Sequence, residues 1–99
     1  MSISMTTRVS LSPEVLLQEV GGEAVLLDLK SECYFGLDEV GTRIWRLIET
    51  NGELGDVHST LLAEYDVEPS RLESDISDLV SRLLDAGLIS IEQTHAAQA

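Results

Sequence analysis

The sequence predicts an α+β domain in which a small antiparallel sheet precedes three helices. Up to residue 37 the apolar residues form short runs or alternate with a period of two, which is typical of strands. From residue 38 onwards they recur every three or four positions, which is typical of helices. The change falls within the stretch 33–41, CYFGLDEVG, whose first half favours a strand and whose second half favours the start of a helix.

Four segments ahead of residue 38 have strand character: 8–11, 15–20, 24–29 and 33–37. The pair Gly21-Gly22 tolerates the positive φ angles of a tight hairpin turn between the second and third of these. A polar turn at 30–32 separates the third from the fourth. The sequence therefore predicts an antiparallel meander of about three strands, with the short segment 8–11 as a further candidate.

The sequence predicts three helices after the strands, over 38–52, 56–65 and 69–87. Asp38 is expected to cap the first helix, because a short carboxylate accepts hydrogen bonds from first-turn amides. Asn51-Gly52 is expected to end that helix. Asp56 is the predicted cap of the second helix, and Pro69 suits the first position of the third, where its missing N–H costs nothing.

The third helix has the widest apolar stripe, formed by Leu72, Ile76, Leu79, Val80, Leu83 and Leu84. After it, Leu88-Ile89 is expected to tuck back as an apolar tail, and residues 92–99 are expected to be flexible. One domain with a core over about residues 8–91 is predicted, since 99 residues suffice for a single small core. The predicted elements also fit a winged helix-turn-helix-like domain. Two short helices and a longer third would form the helix-turn-helix, and the strands would form the wing.

The net charge of −12 argues against nucleic acid and anionic membranes as partners, because like charges repel. In a DNA-binding interpretation the third helix would be the recognition helix. Its charged residues are Arg71 and Arg82 against Glu73, Asp75, Asp78 and Asp85. A winged-helix DNA regulator is therefore the less favoured alternative. No apolar run or signal-peptide layout predicts membrane insertion or export, and a single cysteine excludes an internal disulfide, so we expect the cytoplasm.

Motifs of catalysis are missing from the sequence: it has no phosphate-binding loop, HExxH, CxxC or GxSxG pattern. The histidines are His58 and His95, and no calcium-loop pattern arranges the carboxylates. We therefore predict no catalytic residue, no metal and no cofactor. Asp75 and Asp78 are typical of a solvated acidic face rather than an acid–base pair, and Cys33 is expected to be a small buried apolar residue rather than a nucleophile.

The strand 33–37 is a candidate peptide-binding edge, since it contains neither charge nor proline to blunt an open sheet edge. An extended peptide can add to such an edge as a further strand. Part of the third-helix stripe would then line a groove, with Asp75 and Asp78 at its border to receive basic residues of the peptide. In the alternative, the N-terminal segment covers the edge and the whole stripe is core. An open edge can also pair with a second copy, which leaves the oligomeric state undecided.

Four stretches resemble the PqqD-like family, over about residues 15–90: 24–29 (AVLLDL), 34–45 (YFGLDEVGTRIW), 62–67 (LAEYDV) and 83–89 (LLDAGLI). Their order and spacing follow the family pattern. Asp38 stands where asparagine is common, and this change keeps the capping role. Members of the family are recognition elements for ribosomally made peptides that are modified later.

The resemblance implies a winged-helix-like domain that binds the leader of a precursor peptide as an added strand between the third strand and the third helix. It implies no catalysis by the domain itself. The nearest pathway is lasso-peptide synthesis, with a leader protease and an ATP-dependent cyclase as partners, and the alternative is pyrroloquinoline quinone synthesis with a radical-SAM enzyme. The implied contacts are Glu32, Cys33, Tyr34, Phe35 and Gly36 from the strand, and Leu72, Asp75, Ile76, Leu79 and Arg82 from the helix.

Overall fold

The computed structural model describes residues 6–92, and in that part of the chain five strands and three helices follow one another. The strands are β1 (Val9–Leu11), β2 (Val15–Val20), β3 (Glu23–Asp28), β4 (Cys33–Leu37) and β5 (Ile89–Ile91). The helices are α1 (Glu39–Thr50), α2 (Leu54–Glu64) and α3 (Pro69–Asp85). The predicted α+β fold is confirmed, while His95 and the predicted tail from residue 93 onwards lie outside the described residues.

The predicted meander is present as an antiparallel sheet with the strand order β2-β3-β4. Its first turn uses Gly21 and Gly22 at φ angles of 62° and 89°, which only glycine adopts without cost. In the second hairpin Leu26 of β3 lies opposite Phe35 of β4, and Ala24 lies opposite Leu37. β4 is therefore the edge strand of this sheet.

A second, two-stranded sheet was not predicted: β1 pairs antiparallel with β5, with Leu11 opposite Ile89. The segment expected to be an apolar tail is thus the start of a strand. Leu88 and Ile89 are buried, at 2% and 4% exposure, and a buried backbone needs hydrogen-bond partners. β1 pairs with this segment, so residues 9–11 lie along β5 and not along the edge of β4.

The starts of α1 and α2 follow from capping side chains, whereas α3 starts at Pro69 without a side-chain cap. Asp38 accepts a hydrogen bond from the Gly41 amide at 2.7 Å, which confirms the predicted cap of α1. The predicted start of α2 at Asp56 is wrong, because Glu53 caps the helix by accepting from the Asp56 amide at 3.0 Å. The earlier start lets Leu54 enter the core at 0% exposure.

The core lies between the inner face of the β2-β3-β4 sheet and the three helices. The inner residues of β3 alternate with exposed ones, as expected for a strand with one buried face. Trp45 of α1 is a core residue at 2% exposure. The apolar stripe of α3 is buried from Leu72 to Leu83, and Leu84 is half-buried at its border.

The turn that leads into β4 is built around a buried carboxylate. Asp28, 8% exposed, accepts hydrogen bonds from the Lys30 amide at 3.1 Å and the Ser31 hydroxyl at 2.9 Å. Glu32 follows with a φ angle of 62°, an uncommon conformation for a residue with a side chain. The turn thereby sets the register in which β4 returns along β3.

Candidate binding groove

A cavity of about 390 Å³ lies where the end of β4, the first turn of α1 and one face of α3 meet. Its volume is within the range of about 300–1,000 Å³ that is common for ligand-binding clefts. It is lined by Leu37, Asp38, Val40, Gly41, Ile44, Asp75, Asp78, Leu79 and Arg82. We call this cavity, together with the open edge of β4, the groove.

The junction between β4 and α1 forms one wall of the groove. Leu37 ends the strand and is buried, Asp38 caps the helix, and Val40 in the first turn is 37% exposed. At Gly41 an added Cβ would lie 3.1 Å from Oδ1 of Asp38 and 3.3 Å from Cδ2 of Leu37. Glycine at this position therefore lets the first turn of α1 lie close against the end of the edge strand.

One face of α3 forms the opposite wall. Asp75, Asp78, Leu79 and Arg82 are spaced three, four and seven residues apart, so their side chains share a face of the helix. Leu79 is only 6% exposed and forms the apolar floor, while the other three side chains are exposed at the rim. The wall is thus apolar at its base and charged at its border.

A contact across the groove links the two walls. The guanidinium carbon of Arg82 lies 5.8 Å from the centroid of the Phe35 ring, which is a cation–π distance. Phe35 is half-buried in β4, so its ring forms part of the groove surface beside the cavity. The contact positions the edge strand relative to α3.

β4 has one open edge in the part of the chain that the structure describes, because it pairs only with β3 there. Tyr34 is 78% exposed. Cys33 is also exposed, and the expectation that it is buried is wrong. Cys33 lies on the same face of β4 as Phe35 and Leu37. Burial on this face decreases from Leu37 to Cys33, because Cys33 is the first residue of the strand and lies next to the turn.

The structure brings most of the ten predicted site residues together. The residues at the edge strand or the turn before it are Glu32, Cys33, Tyr34, Phe35 and Gly36, and those at the cavity are Asp75, Leu79 and Arg82. Leu72 and Ile76 lie in the core instead, at 4% and 0% exposure, and do not line the cavity. The wide stripe of α3 serves mainly to pack the core, and Leu79 is the stripe residue that lines the cavity.

Sequence reasoning missed the part of the wall that the end of β4 and the start of α1 supply: Leu37, Val40, Gly41 and Ile44. A signal for it was present, since the edge strand runs into the helix with Asp38 as the one residue between them. The first turn of such a helix must lie beside the strand end. Asp78, which the sequence placed at the border of a groove, does line the cavity.

Carboxylates dominate the charge of the cavity. Asp38, Asp75 and Asp78 face one guanidinium, that of Arg82. The Asp38 carboxylate accepts from the Gly41 amide, whereas the carboxylates of Asp75 and Asp78 form no hydrogen bond or ion pair within residues 6–92. No set of three or more His, Cys, Asp and Glu residues in this described range is arranged to hold a metal ion. The geometry suits binding of an extended, partly apolar ligand.

The opposite face of the sheet carries a second feature. Exposed apolar side chains of all three strands share it: Leu16, Val20, Val25, Leu27 and Tyr34. We call this set the outer face. Contiguous exposed apolar surface of this kind commonly marks a protein interaction site. Among the described residues, no helix has the length and apolar character that a membrane crossing requires.

Comparisons with known proteins place the groove in context. Residues 23–89 match the family model described as coenzyme PQQ synthesis protein D (PqqD). The chain is similar to the solved structure of TbiB1 in complex with the TbiA(beta) leader peptide, with a TM-score of 0.76 and 33% sequence identity over 89% of this chain and 99% of that chain.

A second solved structure, lasso peptide synthetase B1 complexed with the leader peptide, has a TM-score of 0.69 and 30% identity. That match covers 84% of this chain and 98% of the other. No curated protein matches the sequence. Both of these similar structures hold a leader peptide, and each is covered almost completely by this chain.

Proposed function

This chain belongs to the PqqD family, and we propose that it is a non-catalytic adaptor that binds the leader segment of a ribosomally made precursor peptide. The leader adds to β4 as a further strand and lies between that strand and α3. The adaptor then presents the precursor to the enzymes that cleave and modify it. Lasso-peptide synthesis is the favoured pathway, since one of the two similar solved structures is a lasso peptide synthetase B1 complexed with the leader peptide.

The observation that carries this proposal is the open edge of β4 directly beside the cavity. Leu37, the last residue of the strand, lines the cavity, and Arg82 of the cavity wall lies over Phe35 of the strand. A peptide that pairs with the edge therefore places its alternate side chains against α3. Backbone hydrogen bonds supply affinity in this mode, and the cavity supplies selectivity.

We propose that residues 32–36 contact the leader mainly through the backbone. Asp75, Leu79 and Arg82 contact its side chains from α3, together with Val40 from α1. Leu72 and Ile76 act from the core, where their burial holds this face of the helix in position. The adaptor role needs no catalytic group.

The partners that we propose are the precursor leader, a leader protease and an ATP-dependent cyclase. The outer face supports this, because it remains accessible when a peptide fills the groove. Its apolar character suits a protein surface rather than the polyanionic backbone of a nucleic acid. We propose the cytoplasm as the place of action, since ribosomes deliver the precursors there.

A titration of labelled peptides followed by fluorescence anisotropy tests the proposal. The set contains leaders of lasso precursors, a precursor peptide of pyrroloquinoline quinone synthesis and a short DNA duplex. Saturable binding of a lasso leader at micromolar concentration or below is expected. Binding of the quinone precursor alone would move the adaptor to the alternative pathway, which uses a radical-SAM enzyme. Binding of the duplex alone would overturn the adaptor role.

A paired variant locates the binding site. Val40→Asp puts a carboxylate into the cavity wall, yet the first turn of a helix tolerates acidic residues well, so the fold is retained. Val67→Asp is the control, because Val67 has a similar exposure of 41% and lies outside the cavity. We expect Val40→Asp to weaken leader binding at least about tenfold, or about 1.4 kcal/mol. Equal affinities for the two variants would show that the groove is misassigned.

A further inference from the structure

We infer that the groove selects peptide segments in which a lysine or arginine lies two residues from an apolar anchor side chain. The apolar side chain fills the cavity against Leu79, and the cation lies against Asp75 and Asp78. This inference rests on the proposed function, since it requires a peptide strand on β4, and it adds the chemistry by which that strand is chosen.

Two of the four charged side chains that line the cavity are engaged within the protein. Asp38 is committed to the cap of α1 through its 2.7 Å bond with the Gly41 amide. Arg82 is directed to Phe35. The side chains of Asp75 and Asp78 are exposed, and their carboxylates have neither an ion pair nor a hydrogen bond among residues 6–92. The carboxylates that remain available to a ligand are therefore those of Asp75 and Asp78.

The carboxylates of Asp75 and Asp78 lie beside the apolar floor that Leu79 forms. Leu79 follows Asp78 directly and lies one helical turn after Asp75, and the cavity also exposes Val40 on the facing wall. An apolar side chain inserted here gains burial. A neighbouring lysine or arginine of the peptide can place its charged group at the rim and outside the apolar part of the cavity, because long basic side chains keep their charged ends in water.

The alternation of side chains along a bound peptide strand sets the spacing of the residues that reach the cavity. Side chains of an added strand point alternately towards α3 and away from it, so those on one side are two residues apart, about 6.6–6.8 Å. A segment that serves both the floor and the carboxylates must therefore place its apolar and basic residues at positions i and i+2. An acidic residue at the second position meets like charge in a protein whose net charge is already −12.

A selection from a phage-displayed library of random twelve-residue peptides tests the inference. The full chain, the variant Asp75→Asn/Asp78→Asn and the control Glu73→Gln/Asp85→Asn are used as baits. Each pair removes two negative charges from exposed positions of α3, but Glu73 and Asp85 lie outside the cavity. The unchanged protein and the control are expected to enrich lysine or arginine two residues from an apolar residue, and the Asp75/Asp78 variant is expected to lose this preference.

One selected peptide then gives the size of the effect. Replacing its basic residue with glutamine is expected to weaken binding to the unchanged protein about three- to tenfold, as for one or two exposed ion pairs. The same replacement is expected to leave the affinity for Asp75→Asn/Asp78→Asn unchanged. This double-mutant cycle isolates the contact between the cation and the two carboxylates.

The outcomes separate the inference from the proposed function. Peptides that bind the unchanged protein and fail on Val40→Asp, but show no basic preference or keep it on Asp75→Asn/Asp78→Asn, would overturn the inference and leave the adaptor role intact. Failure to enrich any peptide that depends on Val40, together with no binding of lasso leaders, would overturn both.

Discussion

Arg82 of α3 lies over the ring of Phe35 in β4, with 5.8 Å between the guanidinium carbon and the ring centroid. The two residues lie on opposite walls of the groove. In the sequence, α1, α2 and most of α3 lie between them. Their contact links the surface that would pair with a peptide backbone to the surface that would read its side chains. In the proposed binding mode, strand addition and selection by α3 would thereby be joined in one site.

We predict that Arg82→Ala lowers the free energy of unfolding by about 0.5–1 kcal/mol, the value of an exposed cation–π contact. Leader affinity should fall about two- to fivefold, because the side chain lines the cavity. Denaturant unfolding and peptide anisotropy measure the two effects. Arg71→Ala, near the start of the same helix and outside the cavity, is the control and should change neither. Equal effects of both substitutions would contradict a specific role of Arg82.

Gly52→Ala should destabilise the fold by about 2–4 kcal/mol. A Cβ at this position would lie 2.0 Å from the carbonyl oxygen of Val9, and the Val9 amide donates to the Gly52 carbonyl at 2.9 Å. β1 must therefore move away and lose this hydrogen bond. Gly36→Ala is the matched control, since an added Cβ there meets nothing within 4 Å. Thermal unfolding of the two variants is the measurement, and similar midpoints would refute the close approach of β1.

The ion pair between Arg43 of α1 and Glu64 of α2 predicts a pH dependence of stability. Nε of Arg43 donates to Oε1 of Glu64 at 2.9 Å, and this bond lowers the pKa of Glu64 below its ordinary value of 4.5. A carboxyl whose pKa is lower in the folded state stabilises the fold above its unfolded pKa. That contribution is lost as the pH falls through the folded pKa.

Glu64→Gln should therefore lower the unfolding midpoint slightly at pH 7, and the difference from the unchanged protein should vanish in strong acid. Denaturant titrations between pH 7 and pH 2 measure it. Glu73→Gln is the control, because Glu73 is exposed and has no ion pair within residues 6–92. A Glu64→Gln deficit that persists undiminished at the lowest pH would speak against the pair as its cause.

The outer face predicts a separation of two functions. Leu16→Thr/Val25→Thr keeps strand propensity but removes exposed apolar surface. Leader affinity should stay unchanged, because neither residue lines the cavity. Stimulation of leader cleavage by the proposed partner protease should fall about tenfold, equivalent to about 1.4 kcal/mol of lost association. Cleavage rates with Val67→Thr serve as the control, and a loss of leader binding in the outer-face variant would contradict the separation.

Local patterns in the sequence predicted most of the elements. The meander follows from alternation and from Gly21-Gly22, and α1 follows from Asp38 and the change of period. These signals depend only on residues that are close together in the chain, so they can be recognised from the sequence alone. The start of α2 was missed because the choice between Glu53 and Asp56 as its cap depends on whether Leu54 can be buried.

The sequence by itself determined the α+β class, the unblunted edge strand and the acidic face of α3, because each follows from residue types at fixed local spacing. Only the tertiary structure decided that β5 pairs with β1, that β4 has an open edge among residues 6–92, that Cys33 is exposed, and that Leu79 faces the groove while Ile76 faces the core. Burial and pairing depend on which distant segments meet. That information lies in packing between elements and not in the period of any one of them.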